Sequence, residues 1–532
     1  MKLMKKSLIL LLSTFALVGC GGKGSESVEG SESVEGSESV EEHDVEVIWW
    51  NNYQVPEEGA KEEEARKTNT YREYYYAKDL IAAFEAENSH IKITTVYQGS
   101  YSDIAKAVKA GIDTGNIPTI ASTYQDNVAT YVDAEVSYDM SEFAKELEKD
   151  SDFNKNYLDI EKGCFNGKYY SLPYSKSAET LVVNKTVFDK VGAGESGTTT
   201  TKESDGKTVN VYTAPVAAES KTAYTIPQNM FEVAEVARKM KADYPKLFAE
   251  QRDDEGYFKA VPFCWDSTEN MFITMMENSS AEYTNGSAAD LGSKIKWNTQ
   301  AAKDVVIQLK KWNNEGLIAT QNQLPITINS KHKYSSDMVV AGKIFMSVTS
   351  TSGARYFATD GGFQAQLNHN VNWAAGTKAD DAKVISQGPS LTFFRNKDTA
   401  VNEAAFKFYK FLTNTENSAK LAVNTAYFPL RASSYQTEDV KKLTSAVNTA
   451  TAESNYSVKN SDYTGQALKL NETYASKNNY YMSDAFVGSA DIRTAVGNLL
   501  NDVFNDQNAK TDGEIATLVN TKFQEAFESV TK

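Results

Sequence analysis

Apolar positions along this chain first fall into order at Val45–Trp50, whose Val-Glu-Val-Ile-Trp-Trp run predicts a buried opening strand. Side chains alternate across a strand, so Trp49 and Trp50 face opposite sides and at most one of them can reach a ligand cleft. A polar, acidic insertion follows to about Tyr71. In Ala77–Asn88, Leu80, Ile81 and Phe84 share one helical face, and Ile91, Ile93 and Thr95 then alternate as a strand. Ser102–Ala110 sets Ile104 and Val108 four apart on a helix that Gly111 is expected to break, and Pro118–Tyr124 reads as another short strand. Strands alternating with amphipathic helices predict a layered α/β lobe.

The pattern then restarts. Gly167–Pro173 and Thr180–Asn184 read as strands flanking a hinge-like segment. Phe231–Met240, Asp304–Trp312 and Ala404–Leu412 read as amphipathic helices, the last with Ala405, Phe408 and Leu412 in register. Glu195–Thr225, rich in Thr, Ser and Gly, is expected to be an insertion loop, and Tyr456–Tyr481, dense in Asn, Ser and Tyr, a second surface excursion. A chain of 532 residues exceeds one ordinary core, which predicts two lobes plus additions.

The N-terminus breaks this pattern. Lys2, Lys5 and Lys6 precede a run of about a dozen mostly apolar residues, Ser7–Val18, too short to span the roughly 30 Å hydrocarbon core and so a signal-peptide core. It ends in Leu17-Val18-Gly19-Cys20, which resembles the lipobox of bacterial lipoproteins; that resemblance implies removal of residues 1–19 and lipidation of Cys20. The sequence Gly-Ser-Glu-Ser-Val-Glu then occurs three times from Gly24 to Glu41. Such a segment cannot bury a core, and as a flexible coil of about 24 residues its reach is roughly 25–30 Å. Residues 20–44 are thus expected to tether a folded body to a membrane.

Charge follows the same division. The net value is −16, with four lysines and no acids in residues 1–23, eight acids and no Lys or Arg in residues 24–44, and −12 left for the body. A mildly acidic body repels phosphate backbones, so nucleic acid is excluded as a partner. Beyond Cys20 there are Cys164 and Cys264, which in an oxidising compartment either pair or sit apart as buried thiols; the long separation favours the second. His43, His90, His332 and His369 have no ligand spacing, and phosphate-loop, Cys-x-x-Cys, His-Glu-x-x-His and Gly-x-Ser-x-Gly motifs are missing. No metal, cofactor or catalytic residue is expected.

Four stretches in order carry a family resemblance: Val96–Tyr101 with the Gly115–Pro118 turn; Asn166–Pro173 leading to Val183–Lys185 and Phe188; Ala341–Lys343 with Met346 and Ser350–Gly353; and Ala404 through Phe411-Leu412 to Ala426–Leu430. The body resembles the extracellular solute-binding proteins of ABC importers, nearest to the branch binding glycerol-3-phosphate and oligosaccharides. The resemblance implies a type II periplasmic-binding-protein fold, α/β, with two lobes around a ligand cleft and a multi-segment hinge. Crossings are expected near Pro173–Lys176, Ile344–Ser350 and Gly388–Phe393, with lobe 1 as 45–175 plus 345–388 and lobe 2 as 176–344 plus 389–532. It also implies ligand contacts at Tyr101, Gln125, Ser177, Trp265, Ser350, Gly388, Tyr427 and Arg493; Gln125 stands where relatives carry a glutamate, which removes a charge.

Chemistry bears on some of these independently. Ser350–Gly353 offers hydroxyls and N–H groups for a phosphate or polyol, or is a plain N-cap. Arg493 can clamp an anion or be a solvated surface residue. Trp265 can stack on a sugar or pack in the core. The expected partners are a small solute, ABC permease subunits and a membrane reached through the lipid anchor, with a monomeric body outside the cell membrane. The rival readings are an exported glycoside hydrolase, needing two facing carboxylates, and a sensor that presents its ligand to a receptor.

Overall fold

The computed structural model describes residues 44–532 apart from 68, 166, 190–197, 205–206, 214–222, 250–251, 326–333, 358–364 and 447–459. Cys20, the signal segment and the tether through His43 lie outside the described residues, and Asp44–Lys532 forms one compact unit.

The strands run in chain order as β1 (Val45–Asn51), β2 (Ile91–Tyr97), β3 (Ile120–Thr123), β4 (Ser171–Pro173), β5 (Ser177–Asn184), β6 (Thr198–Ser204), β7 (Lys207–Thr213), β8 (Phe263–Trp265), β9 (Ile318–Thr320), β10 (Met346–Ser350), β11 (Ala365–Asn368), β12 (Val384–Gln387), β13 (Ser390–Phe393) and β14 (Tyr480–Tyr481). They form two mixed sheets and a separate β6–β7 hairpin. The first sheet has the order β2-β1-β3-β13-β4, with β1 parallel to both neighbours and β13 antiparallel to both of its own. The second has the order β14-β12-β5-β10-β8-β9, and β11 also pairs with β5.

Apolar alternation decides what each sheet buries. Val45, Val47 and Trp49 point to one face of the first sheet, where Trp49 meets Phe408 edge-on at 5.9 Å and Phe84 meets Phe408 at 5.0 Å. Trp50 points to the other face and packs with Ile104, Val108, Tyr131 and Phe394. Both tryptophans are therefore core residues. The second core gathers Trp265, Trp297, Phe272 and Phe523, closed by the helices Ser489–Asn505 and Asp512–Thr531.

The chain leaves the first sheet between Pro173 and Ser177 and returns between Gln387 and Ser390. The two crossings run antiparallel side by side: Gln387 lies opposite Ser177, Ser390 opposite Pro173, and Ser175 N–H donates to the Pro389 carbonyl at 3.2 Å. Gly388 has φ +84°, and a Cβ built there would lie 1.8 Å from the Ser175 carbonyl oxygen, so the crossing admits only glycine.

The expected crossing at Ile344–Ser350 does not occur. Met346–Ser350 is β10, held between β5 and β8 with Met346 and Val348 in the second core. In sheet membership, β10 and β12 belong to the second sheet, whereas β13 belongs to the first and the helix Thr399–Leu412 packs in the first core. Local periodicity finds a strand but does not say which sheet it joins.

Other differences are local. The helix expected at Ala77 begins at Arg72, because Tyr75 and Tyr76 join Ala77, Leu80 and Phe84 on its buried face. Gly111 lies inside a helix that runs to Ile112. The described part of Glu195–Thr225 contains the β6–β7 hairpin rather than loop alone. Most of the excursion expected at Tyr456–Tyr481 is instead the helix Asn460–Ser476, with Tyr463, Ala467 and Tyr474 buried at helical spacing. Cys164 and Cys264 are unpaired.

Candidate functional site

The carboxyl ends of β1–β3 open onto two helix starts, Tyr101–Ile112 and Gln125–Asp133. Strand ends of this kind collect ligand-facing groups in α/β sheets. Ser100 fixes the first start: its Oγ accepts from Asp103 N–H at 3.3 Å while the Asp103 carboxylate accepts from Ser100 N–H at 3.0 Å, a reciprocal cap. That cap sets Tyr101 at the helix mouth. Its hydroxyl lies 3.3 Å from the Tyr427 hydroxyl, and its ring meets Tyr124 edge-on at 5.1 Å. Burial pushes the Tyr101 and Tyr427 hydroxyls above their ordinary pKa, so both keep their protons.

The helix Ser489–Asn505 of the second core brings Arg493 toward Tyr124. Its guanidinium donates to Asn270 Oδ1 and stands 3.9 Å from Asp126, while Ser489 Oγ donates to the Asp126 carbonyl at 3.1 Å. Burial works against the charge on Arg493, but Asp126 and Glu269 outweigh it and its pKa is raised. Beyond Tyr427, Arg355 donates to Glu73 at 2.7 Å, to the Tyr356 hydroxyl at 3.0 Å and to the Thr425 carbonyl at 3.0 Å. This ties Thr351–Phe357 to the helix Arg72–Glu87.

The eight expected contacts separate on these observations. Tyr101 and Tyr427 are brought together, and Arg493 is set against Asp126, near Tyr124. Ser177 and Ser350 also meet, with Ser350 Oγ donating to Ser177 Oγ at 3.2 Å, but Ser350 Oγ also accepts Ser352 N–H at 3.3 Å, which is the capping role. The remaining three are placed elsewhere. Gln125 is buried, its amide nitrogen committed to Glu161 and Ser390. Gly388 shapes the crossing. Trp265 is 1% exposed, and its indole N–H donates to Glu179 at 2.9 Å, so protein already covers the ring expected to stack on a ligand. Tyr124, Asp126 and Asn270 were not picked out from sequence; the first two were findable from their place at the end of β3.

Residues 79–448 match the bacterial extracellular solute-binding protein family. The chain belongs to that family. It is similar to the sn-glycerol-3-phosphate-binding periplasmic protein UgpB of Escherichia coli K12, 23% identical over 362 residues, which cover 67% of this chain and 71% of that protein. Among solved structures it resembles UgpB from Mycobacterium tuberculosis in complex with glycerophosphocholine (TM-score 0.59, 13% identity, 91% of this chain and 99% of the other). It also resembles the ABC substrate-binding protein Lmo0181 from Listeria monocytogenes in complex with cycloalternan (TM-score 0.60, 14% identity, 91% and 97%). The fold of this solute-binding protein is the type II periplasmic-binding-protein fold. Among its described residues, no helix is long and apolar enough to cross a membrane, and no group of three or more His, Cys, Asp and Glu is placed to hold a metal.

On β5, in the second sheet, the solute-binding protein carries a buried carboxyl poised near neutrality. Glu179 on β5 accepts from the Trp265 indole at 2.9 Å, Thr274 at 2.8 Å and Asn370 at 3.1 Å, yet burial pushes its pKa from 4.5 to about 7. The folded state therefore holds a proton that the unfolded state releases between those values, so stability falls as pH rises from about 4.5 to about 7. Glu179→Gln is expected to flatten that slope, removing up to about 3 kcal/mol of pH dependence relative to the parent chain. Urea melts at pH 5 and pH 8 check it; equal slopes in the two proteins would refute the assignment.

Proposed function

We propose that this solute-binding protein is the substrate-binding component of an ABC importer, capturing a carbohydrate or a glycerol-phosphate-type solute between its lobes without altering it. The observation that carries this reading is the cluster of Tyr101, Tyr124 and Tyr427 beyond the carboxyl ends of β2 and β3, with Arg493 close enough to Tyr124 to act on it electrostatically. Protonated tyrosine hydroxyls suit sugar or glycerol hydroxyls, and the tyrosine faces suit their C–H groups. A guanidinium already answered by Asp126 and Glu269 serves a polyol, and serves a phosphate once it exchanges those partners. Closure follows if only the closed form makes both sets of contacts, so that ligand shifts the equilibrium toward it. The solute-binding protein works as a monomer, anchored through lipidated Cys20 and residues 20–44 to the outer face of the cell membrane, where permease subunits receive the closed form.

A thermal-shift panel of sn-glycerol-3-phosphate, glycerophosphocholine, maltose and maltotriose tests this, since binding to the folded state alone raises the melting temperature. At least one is expected to shift it. Tyr101→Ala should then weaken that ligand roughly ten-fold, about 1.4 kcal/mol, measured at a temperature where the free variant is fully folded. A panel without any shift, or a Tyr101→Ala protein that binds as the parent does, would remove the cleft reading.

A further inference from the structure

One side chain connects Glu179 to Arg493. Asn270 is 6% exposed and lies in the first turn of the helix Thr268–Glu277. That turn is fixed by Ser267, whose Oγ accepts from Asn270 N–H at 3.2 Å. Asn270 Oδ1 accepts from the Arg493 guanidinium, and its side chain also bonds the Glu179 carboxyl. With the oxygen given to Arg493, the amide nitrogen is the group left to donate to a carboxylate. A chain of three polar side chains thus runs from β5 to the helix Ser489–Asn505.

The Glu179 end of this chain can change its charge. Its other donors, Trp265, Thr274 and Asn370, are all neutral. The indole can only donate, and Asn370 is held one way round because its Oδ1 accepts from Val371 N–H at 2.9 Å. The titratable groups facing Glu179 are Arg493, Tyr474 on the helix Asn460–Ser476 and Tyr481 on β14. His369 precedes Asn370 and meets Tyr474 edge-on at 4.5 Å, while Glu277 faces Tyr481. Burial raises both tyrosines, so they keep their protons, and it lowers His369 below 6.5. Burial raises Glu277 as well, which makes a substitution at Glu179 itself the deciding control. Asp126 and Glu269 act on the far end of the chain, at Arg493.

We infer that Glu179 is a positioning residue for solute capture: its carboxylate, through Asn270, holds Arg493 ready for the ligand and makes affinity depend on pH. This rests on the reading that Arg493 serves the solute. An ionised Glu179 gives Asn270 a charge-assisted bond and sets an opposite charge toward Arg493. A protonated Glu179 has an O–H of its own to place, and among these four donors only Thr274 and Asn270 can turn to accept it. Arg493 then loses part of its hold and swings toward Asp126 and Glu269, which already attract it. Affinity therefore falls as pH drops through the titration of Glu179, and by reciprocity the ligand releases part of a proton as it binds. Stability runs the other way with pH, so tighter binding at higher pH cannot come from a firmer fold.

Two measurements on the whole chain test this. The first needs no ligand: the side-chain Nε–H NMR signal of Arg493 is followed from pH 5 to pH 8. It is expected to titrate with the Glu179 carboxyl in the parent protein, to stay flat in Glu179→Gln and to move less in Asn270→Ala. The second is calorimetric titration with maltotriose and with glycerophosphocholine at pH 5 and pH 8. A solute that binds is expected to bind about five-fold tighter at pH 8 in the parent protein, with the ratio lost in Glu179→Gln and reduced in Asn270→Ala. An Arg493 signal indifferent to pH, or an affinity ratio that survives in Glu179→Gln, would overturn the inference. An Arg493 signal that follows Glu179 while neither solute binds would instead remove the solute reading, and the role in capture with it.

Discussion

Lys176→Met is expected to lower stability by about 3–5 kcal/mol, the cost of stranding one member of a buried ion pair. Lys176 lies on the outward crossing, and its ammonium stands 3.1 Å from Glu161, both side chains 0% exposed. It also donates to Ser390 Oγ at 2.7 Å, where the returning crossing enters β13. Ser171 Oγ donates to the other Glu161 oxygen at 2.6 Å, and Gln125 Nε2 donates to Ser390 Oγ at 2.6 Å. Glu161 is thus well supplied with donors, but none of the others carries a charge. Without Lys176 the buried carboxylate loses its charged partner in a dry site, which costs free energy. The double variant Glu161→Gln/Lys176→Met should recover part of the loss, because it removes both charges together. Urea denaturation of the four proteins of this cycle gives the coupling. A single-variant loss below about 1 kcal/mol, the range of exposed pairs, would show that the pair does not hold the crossings.

Gly388→Ala is expected to cost roughly 3 kcal/mol. About 1–2 kcal/mol comes from placing a side chain in left-handed backbone, and about 1–3 kcal/mol from the collision with the Ser175 carbonyl. The collision cannot be relieved by a side-chain rotation, because the atom 1.8 Å away belongs to the neighbouring crossing's backbone. Gly376→Ala is the control: Gly376 has φ +78° with nothing within 4 Å of the added Cβ, so only the backbone cost applies. The Gly388 variant should therefore melt below the Gly376 variant. Equal melting temperatures would mean the crossings have room to part.

The elements of the first sheet were readable because their apolar alternation is strong and their neighbours lie close in sequence. Val45–Trp50, Ile91–Thr95 and Pro118–Tyr124 all become strands of that sheet. The helix Asn460–Ser476 was hidden by its Asn- and Ser-rich surface, although Tyr463, Ala467 and Tyr474 keep helical spacing. The crossings were harder to place. Whether Met346–Ser350 joins β5 or the first sheet depends on pairing partners far away, and local pattern carries no such information. The site divides in the same way. The place of Tyr101 beside a helix start was legible from local pattern and a family stretch. Trp265 was not, because what decides its role is Glu179, 86 residues earlier. The partners of Arg493 are equally remote, with Asn270 lying 223 residues before it.

The pairing of β3 with β13 has a consequence for how the polypeptide is made. Thr123 and Thr392 share a hydrogen bond across 269 residues, so the first sheet stays open until most of the chain has left the ribosome. Closing a loop of that length costs about 5 kcal/mol of chain entropy before any contact repays it, and such topologies fold slowly. Strands β1–β3 are thus made early and sealed late, by a partner from the last third of the chain.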